Sequence, residues 1–385
     1  MFILDEPYIS NFLFETLNKN NYPVYENELT KGKAANLIGD EEFKTLFLKN
    51  KKIYTNSENT IKKITEILEG EEILSWIKLF KDKVEFRKVL KEIYPDFYFE
   101  EIPYSKLGEI DKTKLKYPFV IKPSIGFLSL GVYTVWREDE FDLVIKNIQN
   151  SYEKNQKLFP IEVLNSNNFI IEEFIKGDEY AADVYFDESS NPVLLNLYKH
   201  PFFDKYDVSD RLYFTSSEII NKNYNKLNNL LTKMGKLIGL KNFPVHIELR
   251  IDGDNIIPIE VNPLRFAGWC LCDLAKYAYN INVYEYFMEN KKPNWNEILK
   301  DNNSTYAFVM GEVPSDINKE EIASFNIDNF LKDINVKILE TRQYDYKTKP
   351  MFCSLFIEAK NFDEMKHILN LDMKKYIELK EKVAF

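Results

Sequence analysis

The stretch HIELRIDGDNIIPIEVN, which begins at His246, brings together residues that could bind a hard metal ion. It has two arms of alternating apolar residues around Asp-Gly-Asp-Asn, the pattern of a β-hairpin. Glu248 lies on the first arm, and Glu260 and Asn262 lie on the second. An odd-numbered turn centred on Asp254 would place Glu248 opposite Glu260 and His246 opposite Asn262. The branched residues share one parity and are expected to face the core: Ile247, Leu249, Ile251, Ile257, Ile259 and Val261.

Directly opposed carboxylates destabilise a sheet by roughly 0.2–1 kcal/mol, and by more when water is excluded, so a cation is expected between them. Oxygen ligands without clustered histidine or cysteine favour Mg²⁺ or Mn²⁺. An ordinary hairpin with a solvated acidic face, neutralised by Arg250 or a lysine, fits this stretch equally well. An EF-hand is excluded because Pro263 stands where the bidentate glutamate belongs.

A second segment, VIKPSIGFLSLGV, could bind phosphate. Lys122 ends a buried strand, and the glycine-containing loop that follows can present backbone N–H groups and a hydroxyl to phosphate oxygens. The segment is not a P-loop because GK[ST] is missing and a strand follows. Taken alone, it is also compatible with an ordinary turn.

A third segment, IEEFIKGDE, carries Glu172, Glu173 and Glu179 from an apolar strand into a turn that contains glycine. By itself it could be a strand end with solvated charges. In this order, however, the three segments resemble the ATP-grasp superfamily, and Asp82-Lys83, which opens a predicted helix, adds a fourth match. The resemblance runs from about Lys83 to the end of PIEVNPLRFAG.

The resemblance implies that seven residues contact ATP: Lys83, Lys122, Ser129, Glu172, Glu173, Ile175 and Glu179. The two lysines match the phosphate-binding lysines, and Ser129 lies in the phosphate-covering loop. Glu172 takes the adenine-facing position. Backbone groups of Glu173 and Ile175 match those that read the adenine edge, and Glu179 matches the acid that binds the ribose hydroxyls. Large residues in that loop, Phe127 and Leu128, depart from the small ones common in the family.

The resemblance further implies that Glu248, Glu260 and Asn262 bind Mg²⁺ (or Mn²⁺), as two ions bridged by Glu260. Arg265 resembles the arginine that steadies the phosphoryl group or the acyl-phosphate oxyanion, and with Lys122 it is the predicted catalytic pair. It stands one residue later than in the common Asn-Pro-Arg spacing, which makes its role less secure than those of the metal ligands.

The reaction that the resemblance implies is the attack of a substrate carboxylate on the γ-phosphate, followed by displacement of phosphate by an amine. Substrate binding is expected between the hairpin and the loop 200–214. Arg211, Arg250 and Arg265 are candidate carboxylate-binding arginines there, since guanidinium binds carboxylate bidentately. A kinase or carboxylase-type activator without an amine acceptor, and an inactive nucleotide-binding regulatory protein, are the alternatives. Each arginine could instead form a structural salt bridge. His200 and His246 could have hydrogen-bonded structural roles or act as general bases.

The elements that must position these groups predict an α/β and α+β protein with an ATP-grasp fold. Short strands alternate with helices in residues 1–80, which indicates a small N-terminal α/β domain with a parallel sheet. Residues 81–300 are the expected ATP-grasp domain, with a lid subdomain at about 112–175. Residues 301–385 read as a strand-rich C-terminal α+β domain.

Composition narrows the function classes. The 385 residues carry a net charge of −10, which argues against a general nucleic-acid binder. There is no apolar run long enough for a spanning helix and no signal-like N-terminus, and the three cysteines give no disulfide framework. The cysteine usage favours a cytoplasmic protein. The resemblance, not the composition, implies small carboxylate and amine substrates, and a homodimer is possible by analogy with the family.

Overall fold

The first part of the chain is a small α/β unit in a computed structural model that describes residues 1–125, 131–155, 168–205, 207 and 209–380. Its four strands are parallel, in the order β3-β2-β1-β4, as the sequence predicts. The strands are β1 (Phe2–Ile3), β2 (Val24–Tyr25), β3 (Leu37–Ile38) and β4 (Tyr54–Thr55). The helices are α1 (Asn11–Lys19), α2 (Asp40–Asn50), α3 (Ile61–Ile67), α4 (Ile73–Lys81) and α5 (Lys83–Leu90).

Helix α5 starts where the sequence predicts, because Asp82 caps it. Asp82 has an extended backbone, and its Oδ1 accepts hydrogen bonds from the N–H groups of Val84 (3.0 Å) and Glu85 (3.2 Å). The cap separates α4 from α5 and fixes the rotation of α5. Lys83 and Arg87, one turn apart, therefore lie on the same buried face of the helix.

A small antiparallel sheet follows, in the order β5-β8-β6-β7. Its elements are β5 (Phe99–Pro103), β6 (Phe119–Pro123), β7 (Tyr133–Val135), α6 (Phe141–Asn155) and β8 (Asn168–Glu173). Helix α6 closes a separate core over this sheet, with Phe119, Ile121, Phe141, Ile148 and Ile171 among its members. The predicted phosphate loop at 126–130, which includes Phe127, Leu128 and Ser129, lies outside the described residues.

The largest sheet has eight strands in the order β13-β12-β9-β10-β11-β14-β17-β16. Its first elements are β9 (Asp178–Phe186), β10 (Pro192–His200), β11 (Leu212–Ser216), α7 (Ser217–Ile238), β12 (Phe243–Asp252) and β13 (Asn255–Pro263). The predicted loop 200–214 is therefore too long, since β10 includes His200 and β11 begins at Leu212. Pairing of Leu212 with Val309 explains the difference, because a strand from the C-terminal region extends the sheet here.

The rest of the chain completes this sheet and packs around it. Its elements are α8 (Leu274–Tyr279), α9 (Val283–Met288), α10 (Trp295–Ile298), β14 (Thr305–Glu312), β15 (Ile322–Phe325), α11 (Ile327–Ile334), β16 (Lys337–Gln343), β17 (Met351–Ala359) and β18 (Ile377–Leu379). The predicted boundary at residue 300 thus divides strands of one sheet, and the domain limits stay a prediction. Of the helices in the described ranges, none has the length and apolar character needed to cross a membrane.

The β12–β13 hairpin confirms the predicted pairing but not the predicted turn. Glu248 lies opposite Glu260, and His246 lies opposite Asn262. The turn, however, has two residues rather than an odd number, because Asp252 pairs with Asn255 and Gly253 takes a left-handed conformation (φ 59°).

A β-bulge restores the register that the shorter turn would otherwise shift. Leu249 pairs with Pro258 while Glu248 pairs with Glu260, so one extra residue, Ile259, is inserted on β13. The bulge also reverses the parity of the outer part of β13. Ile256, Pro258 and Val261 are buried, whereas Ile257 and Ile259, which were expected in the core, are only half-buried.

Gly177, just before β9, gives a testable prediction for this fold. Its φ is +102°, and a Cβ there would lie 2.3 Å from the carbonyl oxygen of Ile251. Replacement by alanine should cost about 1–2 kcal/mol for the left-handed backbone and about 1–3 kcal/mol more for the overlap. Urea unfolding measures the loss.

Gly32→Ala is the matched control, because Gly32 also has a positive φ (+72°) but has open space around its missing Cβ. Gly32→Ala should lose only the part of the stability that the left-handed backbone costs. Equal losses for the two variants would show that contact with Ile251 does not constrain Gly177.

Candidate active site

The predicted site residues of the hairpin share one face of the eight-stranded sheet. His246, Glu248 and Arg250 alternate along β12 and therefore point the same way. On one side they meet β13, and on the other they meet β9, where Glu179 lies opposite Arg250. The bulge at Ile259 brings Glu260 onto this face.

Glu248 and Glu260 form a pair of opposed carboxylates at the centre of this face. The chain places Asn262 Nδ2 3.4 Å from Glu248 Oε1 and Lys83 Nζ 3.3 Å from Glu260 Oε2. Burial, and then the charges of Glu260, Glu179 and Asp210, raise the pKa of Glu248 from its usual 4.5 to about 8. The cations that the described residues place near this pair therefore do not keep both carboxylates ionised at neutral pH.

This charge balance fits a divalent cation. Two carboxylates and an amide oxygen are hard ligands of the kind that Mg²⁺ accepts, with further positions for water or phosphate. A positive ion would offset the repulsion that raises the pKa of Glu248. The roles of Glu248, Glu260 and Asn262 as ligands stay a prediction that this chemistry supports.

A second charged cluster lies between α5 and the small sheet. Glu172 on β8 accepts a hydrogen bond from Arg87 Nε (2.7 Å), and its other oxygen lies 2.5 Å from Lys122 Nζ. Burial would raise the pKa of Glu172, but Arg87 and Lys122 outweigh it and lower the pKa to about 2. Burial is also the main reason that the pKa of Lys122 is lowered, and Glu172 opposes that shift.

A third cluster surrounds the predicted ribose-binding acid. Glu179 Oε2 lies 3.1 Å from Arg250 Nη2, and Oε1 lies 3.5 Å from His200 Nδ1. Burial raises the pKa of Glu179, but His200 and Arg250 reverse the shift, and the carboxylate stays ionised. Arg250 also donates to the carbonyl of Ile175 (2.9 Å), while the N–H of Glu173 donates to the carbonyl of Tyr98 (3.0 Å).

The remaining two predicted arginines have different surroundings. Arg265 Nη2 lies 3.4 Å from Glu58 Oε1, and its positive charge is close enough to lower the pKa of Glu248 in part. Arg211 is instead held by Glu312 (3.1 Å) and donates to the carbonyl of Leu371 (2.8 Å). Arg265 is therefore held by Glu58 within electrostatic range of Glu248, whereas Arg211 is tied to the C-terminal region.

Sequence reasoning missed three charged residues that hold predicted site residues in place. Arg87 had a signal, because it is one helical turn after Lys83. Asp183 had a weaker one, as a single acid within the apolar run YAADVYF. It is fully buried, with Oδ1 2.8 Å from His246 Nδ1, and it accepts a hydrogen bond from Tyr198 Oη (2.5 Å). Glu58 carries no local signal.

Comparison with known proteins finds a known domain in this chain. Residues 115–273 match the family model of the ATP-grasp domain. A D-alanine--D-alanine ligase from Buchnera aphidicola subsp. Schizaphis graminum is 27% identical over 224 residues, which are 52% of this chain and 67% of the relative.

Solved structures of the same fold extend the similarity to nearly the whole chain. An L-amino acid ligase from Bacillus licheniformis has a TM-score of 0.71 at 15% identity, over 99% of this chain and 98% of its own. An N5-carboxyaminoimidazole ribonucleotide synthetase from Thermotoga maritima has a TM-score of 0.63 at 15% identity, with 98% of both chains covered. A biotin carboxylase from Campylobacter jejuni has a TM-score of 0.64 at 13% identity, with 98% and 92% covered.

The raised pKa of Glu248 predicts a pH-dependent gain in stability for Glu248→Gln. In protein treated with a metal chelator, the carboxyl of Glu248 loses its proton more easily in the unfolded state (usual pKa 4.5) than in the folded state (pKa about 8). It therefore lowers stability progressively as the pH rises from 4.5 to 8. Glu248→Gln should match wild type near pH 4 and exceed it increasingly as the pH rises, by up to about 4–5 kcal/mol at pH 8.5 for the full shift of the pKa from 4.5 to about 8.

Urea unfolding at several pH values in excess EDTA measures this difference. Glu15→Gln, at an exposed position of α1, is the control and should show no such trend. A constant difference between wild type and Glu248→Gln from pH 4 to 8.5 would contradict the raised pKa.

Proposed function

From the match of residues 115–273 to the ATP-grasp domain, we propose that this chain is an ATP-dependent carboxylate–amine ligase. The observation that carries the proposal is the opposed pair Glu248 and Glu260, with Lys83 beside it. Such a site suits a metal-bound triphosphate. The names of two similar proteins, a D-alanine--D-alanine ligase and an L-amino acid ligase, support an amide or peptide-type bond as the product.

The nucleotide is proposed to lie between the small sheet and the hairpin. Lys122 and Lys83 would hold its phosphates, with the loop around Ser129 covering them. Glu172 and the backbone of Glu173 and Ile175 would contact adenine, and Glu179 would accept hydrogen bonds from ribose hydroxyls. The low pKa of Glu172 keeps it an acceptor at neutral pH.

Magnesium or manganese would be held by Glu248, Glu260 and Asn262, as two ions on this proposal. When bound, the metal supplies charge compensation that lets an anionic carboxylate approach the triphosphate. The position of Lys83 supports this proposal. Its Nζ lies 3.3 Å from Glu260 Oε2, where it could also bind the phosphate oxygens.

The substrate carboxylate would then attack the γ-phosphorus, the bond to the bridging oxygen would break, and ADP would leave. The acyl phosphate would next be attacked at carbon by an amine, which loses a proton as phosphate departs. Arg265 is the proposed donor to the acyl oxyanion, because it is near the carboxylate pair. Arg250 and Arg211 are the remaining candidates for binding substrate carboxylates, although each is already paired with an acid.

One alternative uses the same site without an amine. The fold is also similar to that of a biotin carboxylase, so carboxylate activation without an amine acceptor is the second candidate. A kinase or a nucleotide-binding regulator that has lost turnover would keep the clusters too.

A phosphate-release screen distinguishes these functions. Wild-type protein with Mg-ATP and a panel of amino acids, singly and in pairs, should release phosphate only when both a carboxylate and an amine are present. Mass spectrometry should detect a product lighter by one water than the sum of the two substrates. Stoichiometric product from a carboxylate alone would refute the ligase proposal, and nucleotide binding without any turnover would favour the regulator.

Glu260→Gln should reduce turnover at least about 10³-fold, because it removes a charge from the proposed metal site. Its fold should persist, since one of two repelling carboxylates is lost. Phosphate release at saturating Mg-ATP measures the effect, with Glu15→Gln as an exposed control of equal charge change. Wild-type activity in Glu260→Gln would reject the metal assignment.

A further inference from the structure

Beyond the residues assigned above, we propose that Arg87 is a positioning residue of the nucleotide site. It sets the distance between the small sheet, which carries Lys122, and the hairpin, which carries Glu260. This inference rests on the proposed ATP-binding function but assigns a role to a residue outside the predicted ligand set.

Helix α5 joins the two sheets through two residues on the same face. Lys83 donates its N–H to the carbonyl of Ser124 (2.9 Å), the residue directly after β6, and its Nζ lies 3.3 Å from Glu260 on β13. One turn later, Arg87 Nε donates to Glu172 on β8 (2.7 Å), and Nη1 donates to the carbonyl of Pro258 on β13 (2.7 Å). Each residue thus has one partner in each sheet.

The contact to Pro258 places Arg87 at a sensitive position. Pro258 precedes the bulged residue Ile259, which in turn precedes Glu260. Arg87 therefore fixes the strand exactly where the bulge turns Glu260 towards Glu248. Through Nε, Arg87 also holds Glu172, whose second carboxylate oxygen lies 2.5 Å from Lys122 Nζ. One guanidinium consequently connects the two places where phosphates and metal are proposed to bind.

Only arginine suits this position. Its planar fork can serve the carboxylate of Glu172 and the carbonyl of Pro258 at once, and the ring of Phe97 lies 4.6 Å from the guanidinium carbon. A lysine has a single point of contact. Arg87 Nη2 is buried and has no hydrogen-bond partner within the described ranges, a cost that a bound acceptor group could reduce.

The separate cores explain why this link affects geometry rather than folding alone. The small sheet is closed by α6 in its own core, whereas the hairpin belongs to the main core. Each core buries its own apolar side chains, and neither core depends on Arg87 for its packing. Loss of the link should therefore let the sheets shift relative to each other while each remains folded.

The test compares Arg87→Gln and Arg87→Lys with wild type and with Lys88→Gln, an exposed charge change on the same helix. Calorimetric titration gives the Kd of ADP with Mg²⁺ and with EDTA, and thermal unfolding monitors stability. In wild type, Mg²⁺ should strengthen ADP binding, because Lys83 and Lys122 would bind the phosphates while the hairpin binds the metal. Arg87→Gln should weaken Mg-ADP binding about tenfold or more and reduce the enhancement by Mg²⁺. Lys88→Gln should match wild type.

Arg87→Lys should fall between wild type and Arg87→Gln, because it keeps the charge but loses one of the two contacts. If Arg87→Gln does not fold, Arg87→Lys decides the question. A role limited to stability would lower the melting temperature and leave the ratio of the two Kd values at its wild-type value, which would overturn the inference.

This outcome is distinguishable from failure of the proposed function. If wild-type protein binds no ADP with or without Mg²⁺, the ATP-binding function itself is wrong. If wild type shows the Mg²⁺ enhancement and the folded Arg87 variants show it undiminished, only the role of Arg87 is wrong. With substrates found by phosphate release, the variants should raise the KM for ATP more than they lower kcat.

Discussion

Repulsion between Glu248 and Glu260 is the constraint around which the site is organised. The two carboxylates are opposed on neighbouring strands, and burial together with nearby acids raises the pKa of Glu248 to about 8. Such a pair would destabilise an ordinary sheet. Here Lys83 approaches one carboxylate from α5, and Asn262 approaches the other from β13. The proposed metal would supply the further positive charge that both carboxylates need to be ionised together.

Placing these groups requires two sheets with different cores. The small sheet presents Lys122 and Glu172, and the eight-stranded sheet presents the hairpin. The cap at Asp82 determines which face of α5 meets both sheets, so Lys83 and Arg87 can bridge them. Apolar residues of equal size in place of a buried charged link are often neutral or stabilising, so we infer that this link serves the geometry of the site.

The sequence predicted the match to the ATP-grasp domain, the fold and the pairing of Glu248 with Glu260, because those depend on local alternation and on ordered motifs. It did not predict how the pairing arises. A two-residue turn at Gly253 shifts the register by one, and the bulge at Ile259 shifts it back, so the correct pairing followed from an incorrect turn. Bulges leave little trace in apolar alternation. This is why Ile257 and Ile259 were wrongly placed in the core.

Long-range ion pairs were equally invisible to local pattern. Arg211 is a plausible carboxylate ligand by residue type, yet Glu312, about a hundred positions away in the chain, holds it. Arg265 is held by Glu58 from the N-terminal unit. Only tertiary packing brings such partners together, and a single sequence contains no periodicity that reports it.

The pattern of pairing also bears on which ligand the site prefers. Lys122, Arg250 and Arg265 each lie against a carboxylate, which lowers their attraction for a free anion. The pair Glu248 and Glu260 contributes no positive charge, and a nearby anion would oppose ionisation of Glu248 further. On the proposed assignment, a bare triphosphate therefore meets an unfavourable field at the hairpin, whereas a metal-bound triphosphate brings its own positive charge to that point. On that assignment, selection of the metal complex would follow from the arrangement of acids rather than from any excess of basic residues.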